Sequence, residues 1–146
     1  MQQGIQLLAD ITDRTPTILV VEDEFLIRAM LSDYLQECGF KVLEASSADE
    51  AVGIIENVDV VIDLVLTDIR MPGAMDGFGL AQWVRTNRPH MHVILTSGDA
   101  KKADAAKKLC ENAVLFQKPY DLEAVAGQIR STLGASPLKD ALRPER

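Results

Sequence analysis

From Thr17 to Gly134, short apolar runs alternate with stretches in which apolar residues recur every three or four positions. Runs of the first kind, rich in Val, Ile and Leu, predict strands buried on both faces, and stretches of the second kind predict amphipathic helices packed on them. The strands fall at Thr17 to Val21, Lys41 to Ala45, Leu64 to Thr67, His92 to Thr96 and Ala113 to Phe116. The first helix lines up Ile27, Met30, Leu31, Tyr34, Leu35 and Cys38, and Gly39 is placed to end it. Ser47, followed three residues later by Glu50, predicts a capping box at the start of the second. A third helix covers Gly77 to Thr86. A fourth, about Asp99 to Glu111, is thin in large apolar side chains and should be the least firmly packed. The last repeats Leu122, Val125, Ala126, Ile129 and Leu133 before Gly134. This alternation is the signature of βα units, and it predicts an α/β fold with a five-stranded parallel sheet and helices on both faces.

The pattern fades at both ends, so residues 1–16 and 135–146 read as tails around one domain at 17–134, a size that 146 residues and 16.0 kDa accommodate. The second tail is too short for a DNA-binding helix-turn-helix, so the module is expected to signal by contact. No apolar stretch approaches the ~20 residues of a membrane span, and the N-terminus lacks the basic start and apolar centre of a signal peptide; a cytosolic location is expected. A net charge of −7 and a pI near 4.8 argue against direct DNA or RNA binding, which relies on a basic surface. Cys38 and Cys110, far apart and without metal-ligand spacing, read as small apolar residues of a reducing compartment.

The chemistry gathers where the strands end. Glu22 and Asp23 follow the first strand, and Asp68 closes the third in Leu64-Val65-Leu66-Thr67-Asp68-Ile69-Arg70-Met71-Pro72. In open α/β sheets the carboxyl edge is where ligands bind. Acids aimed at one point repel one another unless a cation joins them, and an all-oxygen donor set suits Mg2+. A carboxylate can also attack phosphorus, given neighbours that neutralise the charge between two anions. Lys118, in Phe116-Gln117-Lys118-Pro119-Tyr120, is a compact cation beside the fifth strand; Thr96, in Val93-Ile94-Leu95-Thr96-Ser97-Gly98, offers a hydroxyl to a phosphoryl oxygen.

These residues resemble the response-regulator receiver domains of two-component signalling over about Thr17 to Leu133. The resemblance implies a doubly wound, flavodoxin-like sheet of order 2-1-3-4-5. It makes Glu22 and Asp23 the metal-binding pair, Asp68 the phosphoacceptor and a metal ligand, and Thr96 and Lys118 the hydroxyl and the lysine that receive the phosphoryl oxygens. The backbone carbonyl of Arg70 becomes a further protein ligand to Mg2+. The implied partners are a sensor histidine kinase or a histidine phosphotransfer protein as donor, a downstream protein, and a second copy of the chain. The chain departs from the family pattern in three places. Gly73 and Ala74 make the loop between Pro72 and Met75-Asp76-Gly77 one residue longer than usual. Leu115 stands where many members hold a rotating aromatic, so the resemblance does not carry an aromatic switch to this chain, and Phe116 alternates to the other face. Arg70 and Gly98 occupy positions that influence phosphoryl lifetime in the family.

Other readings remain alongside. Asp23 could simply cap the first helix. A phosphatase of the haloacid-dehalogenase type would need an acid two residues after the nucleophile, where this chain has Arg70, so the expectation is a switch that modifies only itself and not an enzyme. A binding module working without phosphorylation, or a phosphate sink in a phosphorelay, are the remaining alternatives. His90 and His92 are assigned no function, and Lys101, Lys102, Lys107 and Lys108 read as a solvated face open to an acidic partner.

Overall fold

The computed structural model of the protein describes residues 14–97, 121–134 and the backbone of 114–117. Five parallel strands, β1 (Thr17–Val21), β2 (Lys41–Ala45), β3 (Leu64–Asp68), β4 (His92–Ser97) and β5 (Val114–Gln117), form one sheet in the order β2-β1-β3-β4-β5. Four helices lie among the described residues: α1 (Phe25–Glu37), α2 (Ala48–Glu56), α3 (Gly77–Asn87) and α4 (Leu122–Gly134). The helix predicted over about Asp99 to Glu111 lies outside them. This is the doubly wound, flavodoxin-like architecture that the sequence predicts.

The period-two alternation of the central strands divides the core into two layers. Ile18, Val20, Leu64, Leu66 and Ile94 face one way and pack with Leu31 and Leu35 of α1 and Val125, Ala126 and Ile129 of α4. Leu19, Val21 and Val65 face the other way, toward Ala51 and Ile55 of α2 and Leu80 and Val84 of α3. Sequence runs that are apolar at every position are thereby explained, because β1 and β3 are buried throughout.

Local signals close the helices. After α1, the Gly39 amide donates to Gln36 O at 3.0 Å and the Phe40 amide to Leu35 O at 3.1 Å, a Schellman motif around a glycine at φ 96°. At α2, Ser47 Oγ accepts from the Glu50 amide at 3.1 Å, as expected of a capping box. The return bond is displaced by one residue: Glu50 Oε2 accepts from the Ser46 amide and hydroxyl, at 3.2 and 2.8 Å. Asp76 caps α3 by accepting from the Gly79 amide at 2.8 Å. Ahead of β1, Arg14 pairs with both carboxylate oxygens of Asp63, which also accepts from the Thr17 amide at 2.8 Å, so the chain entering β1 is tied to the start of β3.

One buried group in α1 is left over. Ser32 is 3% exposed, and its hydroxyl has no hydrogen-bond partner among the described residues. A desolvated hydroxyl without a partner costs free energy, and alanine is the better helix former. Ser32→Ala is expected to stabilise the domain by about 1 kcal/mol, read as a higher urea midpoint at unchanged m-value. A loss of stability instead would mean that the hydroxyl holds a buried water.

Candidate functional site

The alternation that builds the first core layer also delivers the site. Ile18 and Val20 of β1, Leu64 and Leu66 of β3 and Ile94 of β4 fill that layer; the next positions of the same parity are Glu22, Asp68 and Thr96. Asp68 and Thr96 are register partners across β3 and β4. The apolar series thus ends, at the carboxyl edge of three adjacent strands, in two acids and a hydroxyl. Asp23 follows one residue after Glu22 in the turn leading to α1.

One carboxylate oxygen from each of Glu22, Asp23 and Asp68 lies within 4.8 Å of the other two. Glu22 is 2% and Asp68 7% exposed, whereas Asp23 is open to solvent. Two buried anions this close, with a third at the rim, have a chemical reason to take a cation. The donors are all oxygen, which favours a hard ion, and metal–oxygen distances of about 2.1 Å for Mg2+ fit within this oxygen spacing. The donor set therefore fits Mg2+.

Backbone contacts hold the acids in place. The Glu22 amide donates to Ala45 O at 3.0 Å, extending the β1–β2 ladder past the last strand residue. Asp68 Oδ1 accepts from the Arg70 amide at 3.3 Å, and the Ile69 amide donates to Thr96 O at 2.9 Å. The loop after β3 folds back so that the Gly77 amide donates to Ile69 O at 2.9 Å, and Met71 inserts into the second core layer. In the longer loop, Gly73 takes φ 119°, a conformation that glycine tolerates without a Cβ penalty.

The N-cap residue of α1 is Glu24, which makes no side-chain capping bond, so Asp23 does not have the N-cap role that the simpler reading offered. Lys118 lies outside the described residues; it follows Gln117, whose backbone is in register with Ser97. Leu115 is in register with Leu95, and Phe116 with Thr96. His90 is exposed and His92 half-buried at the start of β4, the end away from Thr96. Trp83 packs against the second core layer with the Arg88 guanidinium 6.0 Å from its ring centroid. Arg28, which the sequence pattern did not single out, reaches back to the Glu22 carbonyl with Nη1 at 2.7 Å. A cation in the first turn of a helix opposes the macrodipole, and that was the available signal that it had another partner.

Comparison with known proteins agrees with this geometry. Residues 18–130 match the response regulator receiver domain. The "Probable chemotaxis protein CheY" of Rhizobium etli is 36% identical over 122 residues, covering 81% of this chain and 92% of that protein. The "Autoinducer 1 sensor kinase/phosphatase LuxN" of Vibrio campbellii is 29% identical over 93% of this chain, which spans only 16% of its length. Among solved structures, a response regulator receiver protein from Sinorhizobium medicae superposes with a TM-score of 0.75 at 27% identity, covering 84% of this chain and 97% of that one. The chain belongs to the response-regulator receiver family, whose members are the switch modules of phospho-signalling and pair with sensor histidine kinases. Among the described residues, no helix is long and apolar enough to cross a membrane.

Proposed function

We propose that this receiver accepts a phosphoryl group on Asp68 from a phosphohistidine, carried by a sensor kinase or a histidine phosphotransfer protein, and that the modified form binds a different set of protein surfaces. The observation that carries this reading is the convergence of the Glu22, Asp23 and Asp68 carboxylates at one sheet edge, with two of the three buried. Nothing about core packing calls for buried acids there, whereas phosphoryl transfer does.

In the transfer, an Asp68 oxygen forms a bond to phosphorus as the phosphorus–nitrogen bond of the donor breaks, and the imidazole nitrogen keeps the bonding pair. The Arg70 amide, donating to Oδ1 at 3.3 Å, restrains the carboxylate for in-line approach. Glu22, Asp23, Asp68 and the Arg70 carbonyl would hold Mg2+, which supplies charge neutralisation between the carboxylate and the phosphoryl oxygens. Thr96 would donate its hydroxyl to one phosphoryl oxygen and Lys118 its ammonium to another. Drawing those groups in would shift the end of β4 and the segment after it, with a coupling to partner binding of about 1 to 3 kcal/mol. The chain turns over no other substrate in this reading.

Acetyl phosphate with Mg2+ is expected to add one phosphoryl group to the intact protein, seen by mass spectrometry, and prior treatment with EDTA is expected to reduce the adduct at least tenfold. Beryllofluoride binding serves where hydrolysis outruns detection. Failure of both would favour a receiver-shaped binding module that acts without phosphorylation.

A further inference from the structure

Glu22 and Asp23 are joined by one peptide unit, and the orientation of that unit decides where both carboxylates go. Its carbonyl is the Glu22 oxygen on which Arg28 Nη1 donates at 2.7 Å. The same guanidinium places Nε 3.3 Å from Glu44 Oε1, and its central carbon lies 5.5 Å from the centroid of the Phe25 ring. Glu44 precedes Ala45, whose carbonyl accepts from the Glu22 amide at 3.0 Å. Glu22 is therefore gripped at both backbone groups by one closed structure. Its N–H is held by the end of β2, and its C=O by an arginine that is itself anchored to the neighbouring residue of β2. The Arg28 side chain is 16% exposed although Glu44 is open to solvent at 45%, and the planar fork serves a carbonyl and a carboxylate together in a way that an ammonium cannot.

We propose that Arg28 is a positioning residue for the acidic pair, fixing the Glu22–Asp23 peptide so that the carboxylates are pre-set for a divalent cation. The inference rests on the metal-dependent reading of the site given above. It makes a prediction of definite sign, because two effects of Arg28 oppose each other. As a positive charge held on the backbone of the acidic pair, it should by Coulomb's law weaken cation binding, so its removal would tighten it. As a clamp, it organises the ligands, and outer contacts of this kind are worth about tenfold to a hundredfold in metal affinity.

The test is calorimetric titration of the unphosphorylated protein with Mg2+, accompanied by amide hydrogen exchange of the 22–24 segment in EDTA. Arg28→Ala is expected to weaken Mg2+ binding about tenfold and to speed exchange at Glu22 and Asp23 about as much. Arg28→Lys, which keeps the charge and loses the fork, should recover less than half of the loss on a logarithmic scale. Leu35→Ala, in the core on the same helix, controls for stability: it should lower the melting temperature while leaving Mg2+ affinity unchanged. Unchanged or tighter Mg2+ binding in Arg28→Ala, with the wild type binding normally, overturns the inference and leaves the site reading intact. A wild type that binds no Mg2+ overturns both.

Discussion

Replacing Asp68 by Asn is expected to abolish the phosphoryl adduct entirely while making the metal-free protein more stable. The amide matches the carboxylate in shape, and its oxygen can still accept from the Arg70 amide, so the end of β3 has no reason to move. What disappears is the nucleophile: an amide oxygen carries no charge and forms no acyl phosphate under these conditions. Stability should rise because Asp68 is 7% exposed and within 4.8 Å, oxygen to oxygen, of Glu22 and Asp23. Removing one of these charges relieves a repulsion on the order of 1 kcal/mol. Melting in EDTA should show the gain, and saturating Mg2+ should shrink it, since the bound cation offsets the same repulsion in the wild type. An adduct that persists in Asp68→Asn would place the acceptor elsewhere. A variant less stable than the wild type without metal would mean that the carboxylate is engaged in favourable contacts that outweigh the repulsion.

Much of this was legible in the sequence because the signals were local. The runs Ile18 to Val21 and Leu64 to Leu66 are apolar at consecutive positions, the mark of strands covered on both faces; Glu22 follows the first directly and Asp68 the second after Thr67. Gly39 and the Ser47 cap are determined by one turn of chain and were readable for that reason. Readings that depend on the return path of the chain went further astray. Glu50 bonds back to Ser46 where a standard box predicts Ser47, because the approach to α2 sets which amide faces it. Arg28 goes unmarked in the sequence, since its partners, Glu22 O just past the end of β1 and Glu44 of β2, are brought to it by the fold. The resemblance to receivers supplied the strand order and grouped residues that spacing alone leaves separate. Thr96 is a case in point: by itself a β-branched strand residue, it gains meaning as the register partner of Asp68.

Among the described glycines, Gly77→Ala should be the most damaging added methyl. A Cβ built on Gly77 falls 1.8 Å from the Asp68 carbonyl oxygen, 2.7 Å from its carbon and 2.9 Å from Ile69 Cα. All three are backbone atoms, so no side-chain rotation can make room. Gly77 does not have a positive φ, and its requirement is therefore one of space. Either α3 must back away, stretching the Gly77 amide bond to Ile69 O and loosening Leu80 and Val84 from the core, or the end of β3 must shift and carry Asp68 with it. Overpacking against rigid backbone should cost about 3 kcal/mol, and a displacement near 1 Å at the acceptor should slow phosphoryl uptake about a hundredfold. Gly53, on the exposed side of α2, provides the comparison, since a Cβ there meets nothing within 4 Å. Gly53→Ala should stabilise by about 0.5 to 1 kcal/mol through helix propensity and leave uptake unchanged. Urea unfolding and acetyl phosphate kinetics on the two variants would separate a methyl that tightens a helix from one that dislodges the phosphoacceptor. If Gly77→Ala keeps both wild-type stability and wild-type uptake, the loop after β3 can yield without moving Asp68, and the close approach of α3 is not what holds the acceptor in place.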